Sequence, residues 1–181
     1  MLTLEFTPFP ILETERLILR KPSPFDVTDI FLLRSDPKVN EFIVRPATEN
    51  EDMARTHIEK VINSINNNEA IEWVITLKGQ PGVIGTIVYW NIAPAENRAE
   101  LGYQLMPAYH RQGIMHEVFN AVLDYGFNIM GLESVEAYTH HANDASRKLL
   151  EKNLFTRDLE AEEGRDMETD GHNTIYRRGR G

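Results

Sequence analysis

The chain has no cysteine and a shortage of basic residues, and each absence removes a class of function. Without cysteine, its 181 residues contain no disulfide, no thiol nucleophile and no thiolate metal site. The 19 basic residues against 28 acidic ones give a net charge of −9. That balance argues against binding to nucleic acid or to an anionic membrane surface. His110, His116, His141 and His172 lack metal-ligand spacing, so no metal site is expected.

Long apolar runs and glycine-rich phosphate loops are also missing. No stretch is long and apolar enough to cross a bilayer, and residues 1–5 lack the features of an export signal, so we expect a cytoplasmic protein. Dinucleotide and nucleotide fingerprints need more glycines than the loop before Gly113 has, which disfavours a nucleotide-binding regulator. The length predicts one domain over 1–181, with a core over 12–160. An acidic turn over 160–170 and a basic tail over 177–181 are expected to be mobile.

Hydrophobic spacing and turn residues predict a mixed α+β chain. Helices are expected to begin near Ser23, near Thr48, at Gly113 and at Asn143, where capping residues or glycine precede apolar stripes. Apolar residues at strand spacing predict strands over 12–20, 71–77, 83–92, 97–105, 134–140, 156–159 and 174–177. The helix between the strands at 97–105 and 134–140 predicts a right-handed unit with those two strands parallel.

The stretch from Asn97 to Met115 is the most informative. It reads as a strand with apolar Leu101, Tyr103 and Leu105, then a loop with Pro107, then a helix that begins at Gly113. The start of a helix offers unpaired N–H groups and the positive end of its dipole, which together bind anions. The sequence therefore predicts an anion site at the end of a strand.

Four motifs, in this order along the chain, resemble those of the GNAT superfamily of acyl-CoA-dependent N-acetyltransferases, and most closely its RimJ/RimL-type branch. They are Thr14–Arg20, Ala99–Tyr103, Gln112–Met115, and Asn143–Ser146 followed by Leu149–Lys152. The resemblance covers residues 12–155. It implies a mostly antiparallel, twisted sheet of six or seven strands flanked by about four helices, with a splayed parallel strand pair forming the acyl-CoA cleft. The loop departs from the family pattern, which usually has Gln or Arg where His110 stands and a small residue where Met115 stands.

The same resemblance implies acetyl-CoA as cosubstrate. Its pyrophosphate is expected on backbone N–H groups of the loop, and its pantetheine arm is expected to pair with the strand like an extra strand. Arg111 can equally be a solvated loop cation, and Asn143 can serve only as a helix N-cap. The residues assigned to acetyl-CoA are Tyr103, Gln104, Leu105, His110, Arg111, Gln112, Gly113, Ile114, Met115 and Asn143.

Acetyl transfer to an amine needs a neutral amine, a donor to the developing oxyanion, and a proton for the leaving thiolate. The resemblance assigns the base to Glu100, acting directly or through water, and the proton donor to Ser146; a backbone N–H near Leu105 is the expected oxyanion donor. Two simpler readings remain open. Glu100 can be a solvated strand residue, and Ser146 can bond only within its own helix turn.

The expected function is direct transfer of an acetyl group from acetyl-CoA to a primary amine in a ternary complex. A protein N-terminal amine, on the order of a tenth neutral at pH 7, needs only a modest base. A small amine such as a polyamine, an amino acid or an antibiotic is the other candidate, and the acidic balance suits a cationic acceptor. The alternative is a non-catalytic acyl-CoA-binding or interaction module. A monomer or homodimer is expected.

Overall fold

A computed structural model describes residues 2–163 and 173–181, and a mixed sheet of eight strands forms its centre. The helices are α1 (Val27–Ser35), α2 (Glu51–Asn66), α3 (Ile114–Asp124), α4 (Asp144–Lys152) and α5 (Leu159–Glu162). The strands are β1 (Leu12–Glu13), β2 (Leu17–Arg20), β3 (Ile71–Leu77), β4 (Gly85–Ala93), β5 (Arg98–Leu105), β6 (Ser134–His140), β7 (Thr156–Arg157) and β8 (Asn173–Gly179). No helix of these two described ranges is long and apolar enough to span a bilayer.

The sheet order is β1-β2-β3-β4-β5-β6-β8-β7. Strands β1 to β5 pair antiparallel in chain order, and β5 pairs parallel with β6 after the crossover through α3. This confirms the predicted α+β class, the meander and the parallel pair. The described sheet has one strand more than the upper prediction because residues 12–20 form two strands, β1 and β2, instead of one.

Side-chain alternation separates the two faces of the sheet. Trp73 of β3 and Leu101 of β5 join the apolar core that includes Phe119 of α3. The alternate position Val74 joins a second core with residues of α1 and α2. Because successive strand residues point to opposite faces, Glu100 and Gln104 of β5 lie on the α1–α2 face, whereas Tyr103 lies on the α3 face.

The predicted first strand over 12–20 is in fact a hairpin of two strands. The backbone N–H of Thr14 donates to the carbonyl of Leu17 at 3.1 Å, and the Thr14 hydroxyl accepts the Leu17 N–H at 3.0 Å. A threonine hydroxyl can compete in this way with the strand ladder, so β1 ends at Glu13 and β2 begins at Leu17.

The prediction of a mobile basic tail is wrong for its first residues. Strand β8 runs to Gly179 and pairs with β6 along its length. Arg177 forms an ion pair with Glu136, and the Arg180 N–H donates to the carbonyl of Glu133 at 2.8 Å. The carboxylate partner lies about forty residues away in sequence, so local composition could not reveal it. Of the predicted acidic turn, residues 160–162 lie in α5, and 164–170 lie outside the described residues.

Candidate active site

The sheet is split between β5 and β6. These strands pair only from Arg98 with Ser134 to Glu100 with Glu136. Beyond that point β5 continues to Leu105 paired with β4 alone, and β6 continues to His140 paired with β8. The split therefore exposes strand-edge N–H and C=O groups on its inner sides, which suit an extended amide-bearing chain.

The loop after β5 leads into α3 with two residues in the left-handed backbone region. Arg111 has φ of +59° and Gly113 has φ of +76°. Within the described chain no side chain caps the start of α3, so the N–H groups of its first turn remain available. Ile114 and Met115 are buried and can offer an anion only their backbone. This donor set fits phosphate oxygens.

Three side chains brace this loop, and the sequence analysis missed their role. The Glu117 carboxylate accepts from the Thr14 hydroxyl at 2.5 Å and from Arg16 Nε at 2.7 Å, while Arg16 Nη1 donates to the Gln112 carbonyl at 3.0 Å. Burial opposes ionisation of Glu117, but the hydrogen bonds from Thr14 and Arg16 outweigh it and lower its pKa. The motif Thr14–Arg20 therefore forms strand β2 and also holds the loop before α3 in place through Thr14 and Arg16.

His110 is placed against the end of β5. Its Nε2 lies 2.9 Å from the Leu105 carbonyl oxygen, so the Nε2-protonated tautomer donates to that carbonyl. The ring thereby fixes the point where the strand ends and the loop begins. In the structure, the His110 side chain thus hydrogen-bonds the backbone of Leu105.

Tyr103 of β5 and Ser146 of α4 meet on the α3 face of the sheet. Their hydroxyl oxygens are 2.6 Å apart. Burial raises the pKa of Tyr103, and the bond to Ser146 opposes the shift only in part, so this phenol stays protonated. Asn143 caps α4 by accepting the Ser146 N–H at 3.1 Å. Ser146 therefore has both a local backbone bond and a hydroxyl directed at β5.

Glu100 stands at the closed end of the split, on the opposite face from Ser146. Asn91 Nδ2 donates to its carboxylate at 3.5 Å. Its neighbour across the strand pair, Glu136, is buried and held by Arg98 and Arg177. The two predicted catalytic residues thus lie on opposite faces of the sheet, and the split is the opening that joins those faces.

A polar row crosses β3, β4 and β5 on the face of Glu100. Arg45 Nη1 donates to Gln104 Oε1 at 3.0 Å, and Gln104 Nε2 donates to Thr86 Oγ1 at 3.0 Å. Thr86 in turn hydrogen-bonds the carboxyl of Glu72, whose pKa burial raises to about 7 against the opposing effect of Arg34. The side chain of Gln104 therefore lies away from the face of Tyr103, and only its backbone can follow a cosubstrate in the split.

Residues 36–50, which join α1 to α2 and are called the roof segment below, contact both sides of the split. Arg45 bonds Gln104 of β5, while the ring of Phe42 stacks on His140 at the end of β6, with centroids 5.4 Å apart. A groove of about 320 Å³ on the same face is lined by residues that include His57, Glu72, Val88 and Trp90. The roof segment and this groove are thus both on the face of the sheet that carries Glu100.

A split parallel strand pair with an anion-binding loop at its open end defines an acyl-CoA-binding acyltransferase fold. The model of the acetyltransferase (GNAT) domain matches residues 16–156. The uncharacterized N-acetyltransferase YoaA of Bacillus subtilis is 34% identical over 150 residues, covering 83% of this chain and 85% of that protein.

Solved structures share the fold at lower identity. RimL, a ribosomal L7/L12 alpha-N-protein acetyltransferase in complex with coenzyme A, has a TM-score of 0.81 and 20% identity, covering 94% of this chain and 98% of that one. The microcin C7 self-immunity acetyltransferase MccE, in complex with acetyl-CoA and AMP, has a TM-score of 0.77 and 20% identity, covering 92% and 94%.

The chain belongs to the GNAT acetyltransferase family. It is an acetyl-CoA-dependent acyltransferase, as the family resemblance of its motifs predicted.

Proposed function

We propose that the protein transfers an acetyl group from acetyl-CoA directly to a primary amine, within one ternary complex. One observation carries the proposal. The split in the sheet connects the face that holds the Tyr103–Ser146 hydroxyl pair with the face that holds Glu100. A thioester in the split can therefore meet a proton donor on one side and a base on the other.

The chain's own residues supply the binding surface for the cosubstrate. Backbone N–H groups from Arg111 to Met115 bind the pyrophosphate, and the inner edge of β5 from Tyr103 to Leu105 pairs with the pantetheine amides. A backbone N–H near Leu105 stabilises the oxyanion. Asn143 positions Ser146 by capping its helix.

Each proton has a named place in this mechanism. The amine forms its bond to the acetyl carbon while the carbon–sulfur bond breaks. Glu100 accepts the proton that the amine loses, directly or through water, and releases it to solvent. Ser146 donates a proton to the leaving sulfur and regains one from solvent. The high pKa of Tyr103 keeps it protonated as the hydrogen-bonding partner of Ser146.

The proposed acceptor is a protein N-terminal α-amine or a small amine. Both RimL and MccE share this fold, and the name of RimL specifies an alpha-N-protein acetyltransferase whereas that of MccE specifies self-immunity to microcin C7. Fold alone does not select an acceptor. The choice therefore rests on residues of the α1–α2 face of the sheet, which carries Glu100 and is called the acceptor face below.

The first test is calorimetric titration with acetyl-CoA of the wild type and a Gly113→Trp variant. Gly113 has φ of +76°, which a side chain adopts only under strain, and a Cβ there comes within 3.7 Å of Arg16 Nη2. We expect the wild type to bind and the variant to bind weakly or not at all. Wild-type protein that fails to bind acetyl-CoA contradicts the proposal.

The second test is an amine screen with Glu100→Gln and Ser146→Ala. We expect both variants to bind acetyl-CoA and to transfer acetyl slowly. Binding without turnover on any amine, in the wild type as well, would instead support a non-catalytic acyl-CoA-binding module. Turnover that is independent of both residues would show that other groups carry the proton transfers.

A further inference from the structure

Two arginines lie close together on the acceptor face. Arg34 lies in the last turn of α1, and Arg45 belongs to the roof segment. Arg45 Nη2 is 3.5 Å from the Arg34 carbonyl oxygen. Burial and the charge of Arg34 lower the pKa of Arg45 to about 10, which leaves it cationic at neutral pH.

Within residues 2–163 and 173–181, neither arginine has a carboxylate within ion-pair distance. Among the residues that the structure describes, Arg45 bonds only neutral acceptors: Asn40 Oδ1 at 2.8 Å, Gln104 Oε1 at 3.0 Å and the Arg34 carbonyl. A guanidinium has five N–H donors, so two of them remain for a ligand. Arg34 Nε is buried without a hydrogen-bond partner.

Other partly buried arginines of the described chain are compensated one at a time. Arg98 binds Glu136, and Arg20 binds Asp26 with two N–H groups. Arg178 donates to the Asn153 carbonyl at 2.8 Å and lies over the ring of Phe127. Because removing a cation from water is costly unless an anion accompanies it, two adjacent arginines without a bonded carboxylate need an explanation.

The chain's own groups compensate these charges incompletely. Glu72 interacts electrostatically with both arginines, but burial raises its pKa to about 7, so it carries only part of a negative charge at neutral pH. His57, whose Nε2 is 3.4 Å from Arg34 Nη1, has its pKa lowered to about 4 by burial and by the arginines, and is neutral. A positive site therefore exists on a protein whose net charge is −9.

The position of this site relates it to the acceptor. Arg45 rests on Gln104, and Glu100 lies four residues earlier on the same strand and face, about 13 Å away along β5. Between them lies Gly102, and the side chains of Val88 and Trp90 pack over it, since a Cβ there would come within 3.1 Å of Val88 Cγ1. Because Glu100 and Gln104 share one face of β5, a ligand lying along that face can place an amine toward Glu100 and an anionic group toward Arg45.

We propose that Arg45 and Arg34 form a carboxylate-binding subsite, so that the acceptor is an amine that also carries a carboxylate. The fork of guanidinium N–H groups matches a planar carboxylate. This inference rests on the proposed function and narrows its acceptor class. The carboxylate comes either from a free amino acid or from an acidic side chain near a peptide N-terminus, and it replaces the cationic acceptor that overall charge suggested.

The test compares matched ligands that differ only in the carboxylate. One arm uses free L-glutamate and L-alanine against their α-amides. The other uses C-terminally amidated tetrapeptides with glutamate or glutamine at the second position. Binding to the enzyme–CoA complex is measured by calorimetry, and turnover is measured separately as thiol release from acetyl-CoA. We expect the carboxylate form to bind about tenfold tighter or more in one arm.

The variants separate recognition from folding. Arg45→Gln should bring the carboxylate-to-amide affinity ratio close to one, and Arg45→Lys should keep part of it. Arg55→Gln removes an exposed cation from α2 and should preserve the ratio. Acetyl-CoA affinity should stay unchanged in all three, which shows an intact fold.

Two results overturn the inference. One is a wild-type carboxylate-to-amide affinity ratio of one in both arms. The other is an equal loss of affinity for the carboxylate and amide ligands in Arg45→Gln. Carboxylate preference in binding with no turnover supports the subsite and contradicts the proposed function. Turnover without carboxylate preference supports the proposed function and contradicts the carboxylate subsite. The two hypotheses therefore fail separately.

Discussion

The hydroxyl oxygens of Tyr103 and Ser146 lie 2.6 Å apart, joining the strand on one side of the sheet opening to the helix that follows the strand on the other side. Either hydroxyl can be the donor, and burial keeps the phenol protonated. Ser146 therefore has a hydrogen-bonding partner, which fixes its direction before any substrate binds.

Replacing Ser146 by alanine tests its role in proton donation. We expect kcat to fall by about 100-fold, since a positioned acid or base contributes on that scale, while the calorimetric Kd for acetyl-CoA changes little. Tyr103→Phe removes the partner but leaves the serine hydroxyl, so its kcat should fall less. Ser35→Ala, at an exposed serine, is the control. Unchanged kcat in Ser146→Ala refutes the role.

Glu117→Gln tests whether the braced loop matters for the cosubstrate. The change weakens the bonds that hold Thr14 and Arg16, and it should cost about 1 kcal/mol of stability and raise the Kd for acetyl-CoA severalfold. Because the pKa of Glu117 is lowered in the folded protein, its stabilising effect is present above the ordinary carboxyl pKa and is lost as pH falls through the folded value.

Denaturant unfolding at pH 7 and pH 3, together with calorimetry, measures both effects. Glu13→Gln alters an exposed carboxylate on β1 that pairs with Lys78 and should have little effect on either. Equal acetyl-CoA affinity in Glu117→Gln and Glu13→Gln would show that the brace serves stability alone.

Glu72 gives the wild-type protein a pH dependence of stability opposite in sign to that of Glu117, and Glu72→Gln tests it. The folded protein retains a proton on Glu72 up to about pH 7, whereas the unfolded chain releases it near the ordinary carboxyl pKa. Stability should therefore fall as pH rises through that window, by roughly 1–3 kcal/mol. The glutamine variant should lack this fall.

Chemical denaturation of both proteins at pH 5 and pH 8 gives the comparison. The lowered pKa of His57 makes stability rise with pH over part of the same range, so the difference between wild type and variant isolates Glu72. Glu69→Gln, at an exposed glutamate, should leave the slope unchanged. Parallel pH curves for wild type and Glu72→Gln would contradict the raised pKa.

Much of the fold could be predicted because its signals are local. Strand β6 has the predicted bounds, and α4 begins after the predicted cap Asn143. Gly131, with φ of +80°, ends the helical stretch as predicted, although residues 125–130 form a π-helical segment that no local pattern indicated. The hairpin turn at Thr14 was missed because it depends on one hydroxyl competing with a strand ladder.

The candidate site was only half predictable. Backbone features of the loop follow from Gly113 and the helix start, so the sequence indicated them. The bonds of Glu117 to Thr14 and of Arg45 to Gln104 join residues 103 and 59 positions apart, which sequence spacing does not encode. One signal was available: Glu72, Thr86 and Gln104 are polar positions at strand spacing among apolar neighbours, as expected for a polar row on one face.

The roof segment also bears on how such an enzyme diversifies. It contacts the sheet through the side chains of Arg45 and Phe42 and packs Val39 into the core that contains Val74 of β3. The loop before α3 and the Tyr103–Ser146 hydroxyl pair come from a separate stretch over 97–146. A connection between two helices tolerates insertion and substitution more readily than a strand within a sheet. Under the proposed function, new acceptors can therefore arise by substitution within residues 36–50 while the residues proposed to bind acetyl-CoA stay unchanged.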